Sequence, residues 1–236
     1  MTAMDAPILF CQGLSKSFGT TFAIQELSLS IRAGETVGLF GPRDSGKTTL
    51  VKLIAGLLVP LSGSIEIGGV SPSACTRGMI SYLPDRNALP PAMNIQKLVD
   101  FYGRMFSDFD AEKANDLFKE LRVNTAKPMK KLSSSTRKRV ALILTMCRRA
   151  RLYLLDEPIG DASPAAKDYI LKTVFSARAE NSAILVATHA ISDMEPYLDS
   201  FLLLSSGSVA AQGNVAAYTR ECGMTLDQAA RRIASC

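Results

Sequence analysis

Apolar and polar positions alternate in short runs near the start of the chain, at residues 8–10 and then at Phe22, Ile24, Leu27, Leu29 and Ile31. Partial alternation at a period of two gathers apolar side chains on one face of a strand, so this spacing predicts antiparallel strands ahead of the core. Residues 36–40, TVGLF, read as a buried strand, and residues 46–58, GKTTLVKLIAGLL, as an amphipathic helix. Residues 64–67, bracketed by Gly63 and Gly68, add another strand. Between residues 94 and 121 the period lengthens: Ile95, Leu98, Val99, Tyr102 and Phe106 share one helical face, and Ala114, Leu117, Phe118 and Leu121 the next. Strands at 152–155, 183–186 and 201–204 then alternate with helices at 165–175 and 191–197, the order that builds a parallel sheet. Two short helices, 215–220 and 225–233, follow without evident chemistry.

The junction of the buried strand and the first helix reads GPRDSGKT at residues 41–48, a fit to G-x-x-x-x-G-K-[ST]. In that pattern backbone N–H groups cradle phosphates, and the helix N-terminus attracts anions through unpaired amides and the macrodipole. Lys47 is expected to neutralise phosphate charge and the Thr48 hydroxyl to sit on Mg²⁺. Residues 152–158, LYLLDEP, are an apolar strand that stops in two carboxylates, at the sheet edge where ligands of open α/β folds gather. Asp156 is expected to hold Mg²⁺ through its water shell, while Glu157 faces the γ-phosphate and polarises a water. His189, the single histidine, follows the strand AILVAT, from which its ring can reach the γ-phosphate and align that water.

Composition narrows the picture. At 236 residues the chain has room for one domain with a sizeable core, and apolar runs such as 140–144 and 201–204 are far too short to span a membrane. A net charge of +5 includes a basic cluster at 127–139, but no aromatics interleave with it, so nucleic acid is not the expected partner. The five cysteines show neither C-x-x-C spacing nor a nearby histidine, which argues against a metal cluster. The opening MTAMDAPILF lacks the regions of a secretory signal, and a soluble chain in a reducing cytosol is expected.

Taken together, these pieces resemble the nucleotide-binding subunit of an ATP-binding-cassette (ABC) transporter over nearly the whole chain. Walker A matches Gly41, Pro42, Arg43, Asp44, Ser45, Gly46, Lys47, Thr48 and Thr49; Walker B matches residues 152–156, with Glu157 as the catalytic carboxylate and His189 as the switch histidine. The resemblance places Phe18, in LSKSFG, against the adenine, and the stretch from YLPDRNALPP to FSDFD is similar to a bacterial exporter subgroup of the YtrB type. It implies an α/β fold: a P-loop NTPase core with a mainly parallel sheet, an N-terminal antiparallel β-subdomain and an inserted α-helical subdomain. In this single ABC ATPase domain, 1–84 hold the antiparallel strands, phosphate loop and first core elements, and 85–136 the helical subdomain with its signature segment. Residues 137–212 complete the core and 213–236 form a C-terminal helical tail. The implied activity is ATP hydrolysis with Mg²⁺, in which two such domains sandwich two nucleotides head to tail and drive a separate transmembrane permease, in export. Catalysis then falls to Lys47, Glu157 and His189, and metal binding to Thr48, Asp85 and Asp156. The chain would lie in the cytoplasm, peripheral at the inner face of the membrane.

The departures are specific. The signature LSGGQ aligns with LSSST, so Ser134 and Ser135 replace the glycines that let backbone approach a partner's γ-phosphate; with Ser133 they are the expected phosphate donors from this segment. Arg137, Lys138 and Arg139 then meet the helix dipole unfavourably unless an anion compensates. Asp85 stands where the family carries a metal-coordinating glutamine, Asp44 where glycine is common in the phosphate loop, and Ser163 where aspartate is usual in the D-loop, after Asp161. Three alternatives stay open: a poorly hydrolysing regulatory partner in an asymmetric ABC pair, a soluble ABC-type ATPase acting on nucleic acid or ribosomes, and a P-loop kinase.

Overall fold

The computed structural model describes residues 6–86, 89–159 and 164–234, so the expectations on Asp161, Ser163 and Cys236 lie outside the described residues. Two sheets carry the fold. In the first, β1 (Leu9–Phe18) lies between β2 (Thr21–Ile31) and β4 (Ser62–Ile67), antiparallel to both. The second runs in the order β5 (Ile80–Leu83), β6 (Leu152–Asp156), β7 (Ala183–Ala187), β3 (Thr36–Phe40), β8 (Ser200–Ser205) and β9 (Ser208–Asn214). It is parallel throughout except for β9, which returns antiparallel along β8.

The unbroken apolar strands follow from burial on both faces. Along β6, Leu152 and Leu154 join one core, which also takes in the antiparallel sheet and Leu50, Val51, Leu53 and Ile54 of α1 (Lys47–Ile54). Tyr153 and Leu155 point the opposite way, into a second core shared with the helices. The parity repeats in β7, where Ala183, Leu185 and Ala187 face the first core and Ile184 and Val186 the second. One-residue slips would exchange the faces, so the register that aligns the strand ends is fixed by packing.

The helices on the second face are α3 (Ile95–Met105), α4 (Ala111–Glu120), α5 (Ser134–Met146) and α6 (Pro164–Ser176), and α2 (Ala74–Met79) precedes β5. The helical run expected between 94 and 121 divides in two because Asp110 caps a new helix, its side chain accepting from the Lys113 amide at 3.0 Å. Arg148 ties this helical region to the sheet. Its buried guanidinium forms two 3.0 Å bonds to Asp108, donates to the carbonyls of Ile80 (2.7 Å) and Gly78 (3.1 Å), and lies 4.2 Å over the Phe106 ring.

The helix expected over 46–58 ends early as α1, where Gly56 takes φ +68°. The one expected over 191–197 is a short α7 (Ile191–Met194) followed by a 3₁₀ turn, Glu195–Tyr197, that accommodates Pro196. The chain ends in α8 (Val215–Cys222) and α9 (Leu226–Ala234).

Candidate functional site

β3 delivers the chain to the phosphate loop at the carboxyl edge of the parallel sheet. Gly41 has φ +147°, and a Cβ there would lie 2.4 Å from the Leu204 carbonyl oxygen. Gly46, at φ +103°, would place a Cβ 2.2 Å from the Ala23 carbonyl oxygen. Both positions therefore demand glycine, in conformation and in space. Asp44 also adopts a left-handed backbone, φ +61°, which aspartate tolerates better than most residues, and its side chain is exposed. No side chain caps α1 and its first turn carries no acidic residue, so no side chain competes with an anion for its leading amides.

Lys47 folds back over this loop, donating to the carbonyls of Gly41 and Pro42 at 2.7 Å each. Burial lowers its pKa, opposed by the negative charges of Glu157, Asp156 and Asp44. Asp156 ends β6 and is buried; burial raises its pKa, against a hydrogen bond donated by Thr48. Among the described residues its Oδ2 has no hydrogen-bond partner. A buried, unpartnered carboxylate oxygen beside a threonine hydroxyl is a donor set that fits Mg²⁺, a hard cation that takes one or two carboxylates and completes its shell from phosphates and water. No three His, Cys, Asp or Glu side chains converge as a metal-holding group among the described residues.

Glu157 leaves the strand with φ +49° while its amide still donates to the Ala187 carbonyl at 2.8 Å. Its carboxylate accepts from the Thr188 hydroxyl (2.9 Å) and the His189 amide (3.1 Å), with His189 Nδ1 2.8 Å away. The last pairing joins two of the three residues that the sequence marks as catalytic, Glu157 and His189. Thr188, buried at the end of β7, carries no sequence signal of its own.

A cavity of about 720 Å³ brings together Arg43, Asp44, Lys47, Thr48, Asp85, Arg86, Ser134, Ser135, Lys138, Asp156, Glu157 and His189. An adjoining cavity of about 310 Å³ shares Asp44, Lys47 and Thr48 and is lined by Gly46, Thr49, Phe18 and Phe22. Both aromatics are about half exposed, and they flank the β1–β2 turn. Sequence reasoning selected Phe18 alone; the pair of aromatics four residues apart across a turn was the available signal for Phe22. Ser133 is not part of either lining. It caps α5, its hydroxyl accepting from the Thr136 amide at 3.1 Å and lying 2.8 Å from the Thr136 hydroxyl. Asp85 pairs at 3.1 Å with Lys138 of α5.

A glycine-bounded loop opening a helix, with two carboxylates at the end of β6, one strand removed from β3 in the same parallel sheet, defines a P-loop nucleotide-binding α/β domain. A model of the ABC transporter family matches residues 24–160, and the chain belongs to that family. The ABC transporter ATP-binding protein YtrB of Bacillus subtilis is 30% identical over 199 residues, 83% of this chain and 68% of that protein. Nod factor export ATP-binding protein I of Ralstonia nicotianae is 27% identical over 217 residues, 89% of this chain and 68% of that protein. The solved ATP-binding subunit of an ABC transporter shares the fold, with a TM-score of 0.84 at 24% identity over 94% of this chain and 97% of that one. Membership implies ATP binding and hydrolysis in the service of transport. Among the described residues no helix is long and apolar enough to cross a membrane.

Proposed function

We propose that this chain is an ATP-hydrolysing motor subunit that binds ATP between two ABC domains and drives a separate membrane-spanning subunit, in export. The observation that carries this is the single cavity in which Lys47, Thr48, Asp156, Glu157 and His189 meet. Lys47 and the amides opening α1 neutralise and orient the β- and γ-phosphates, and Phe18 and Phe22 offer ring faces to adenine. Thr48 and Asp156 would hold Mg²⁺, which supplies further charge neutralisation on the phosphate oxygens when bound. An ionised carboxylate has about four lone-pair directions; in Glu157 the Thr188 hydroxyl and the His189 amide and ring occupy three of them. Among the described residues no donor takes the remaining one, which would orient a water in line with the γ-phosphate, with no covalent intermediate. The likeness to a Nod factor export protein supports export. The region around Asp85 and the helical insertion is the surface best placed to pass movement to the membrane subunit.

Purified chain supports a symmetric pair if turnover rises with the square of its concentration and Glu157→Gln abolishes it. A second reading, an asymmetric ABC pair in which this chain hydrolyses poorly alone, draws support from Ser134 and Ser135, whose side chains stand in the cavity where the family has bare glycine backbone. It predicts nucleotide binding with no turnover until a second ABC subunit with an intact signature is added.

A further inference from the structure

Lys138 lies on the first turns of α5, where three consecutive basic residues oppose the helix dipole. Its ammonium is nonetheless placed with care. Lys138 Nζ donates to Asp85 Oδ1 at 3.1 Å and to the backbone carbonyl of Glu157 at 3.1 Å. One cation thus joins three segments: the helix that the signature opens, the loop after β5, and the end of β6. With side chains 27% and 46% exposed, the Lys138–Asp85 pair is screened by water and contributes little to folding. Its effect is larger inside the cavity, where Asp44, Asp85, Asp156 and Glu157 oppose Arg43, Lys47, Arg86 and Lys138. Losing one ammonium leaves that wall with an excess of negative charge facing a polyanion.

Resting on the nucleotide-site reading above, we infer that Lys138 is a positioning residue: it neutralises Asp85 and anchors the Glu157 backbone, so that the cavity accepts a triphosphate with Glu157 correctly aimed. Lysine at 138 and aspartate at 85 then act as a matched pair, and the damage from losing the cation is undone by removing the anion. Lys138→Gln removes the cation and leaves a neutral amide donor one bond shorter, and Asp85→Asn removes the anion while keeping an acceptor for that amide.

The test compares the wild-type full chain with K138Q, D85N and D85N/K138Q, by calorimetric titration with Mg·ATP and by ATP turnover. K138Q is expected to weaken Mg·ATP binding about fivefold and, where the wild type turns over, to lower kcat about tenfold. The double variant should return both to within about twofold of wild type. A K138Q protein that binds Mg·ATP as the wild type does overturns the inference. So does weakened binding that D85N fails to restore, which would make Lys138 a direct phosphate ligand. A wild-type chain that binds no Mg·ATP overturns the nucleotide-site reading itself, and this inference with it.

Discussion

The two walls of the cavity are built by different means. The wall formed by the phosphate loop, Asp156, Glu157 and Thr188 hangs on adjacent parallel strands, β6, β7 and β3, whose ends are aligned by backbone hydrogen bonds and by cores on both faces of the sheet. The opposing wall, Asp85 and the start of α5, is held to it by the partly buried side chain of Lys138. Deeper in the molecule, Arg148 makes the durable connection between the helical region and the sheet, through four hydrogen bonds from a buried guanidinium. One wall is thus fixed by the sheet and the other only loosely tied to it, so the second can shift without disturbing the core.

The sharpest break removes chemistry from the fixed wall while keeping its shape. Glu157→Gln should reduce turnover roughly 10²–10⁴-fold, the usual worth of a positioned base, with Mg·ATP affinity retained; steady-state kinetics beside calorimetry separates the two. Next is the deep tie: Arg148→Ala leaves Asp108 and two carbonyls unpaired and should cost about 3 kcal/mol of stability, read by urea unfolding, whereas Lys138→Gln should leave the unfolding midpoint nearly unmoved. Within the fixed wall, Gly46→Ala forces an alanine into a left-handed backbone against the Ala23 carbonyl, a strain of roughly 1–3 kcal/mol. It should lower thermal stability and Mg·ATP affinity together. The smallest effect belongs to the periphery, where Phe18→Ala should weaken ATP binding about tenfold, the lower range of what stacking on one base contributes, with kcat unchanged.

The same contrast explains what could be read from the sequence. The fixed wall announces itself in local strings, since GPRDSGKT and LYLLDEP each carry both the element and its chemistry. The buried strands β3, β6 and β7 were legible because two cores demand continuous apolar runs. β9 was not: SVAAQGN is small and polar, an antiparallel edge strand with little to bury. α2 also escaped, having a single buried residue, Thr76, and being defined by a capping box between Ser73 and Thr76 instead of by apolar periodicity. The Lys138–Asp85 pair spans 53 residues, and Thr188 meets Glu157 across 31, so no spacing rule connects either contact. Asp85 pairs with Lys138 while lining the cavity, and the Ser133 hydroxyl caps α5.

On the proposed reading, the loop over residues 41–48 grips a nucleotide through Lys47. Calorimetric titration of the full chain with millimolar Mg·ATP, set beside Lys47→Ala, addresses it directly. The predicted result is saturable heat for the wild type that Lys47→Ala weakens at least about tenfold, the loss of a charge-assisted phosphate contact; no heat from the wild type, or identical isotherms for the two proteins, would contradict it.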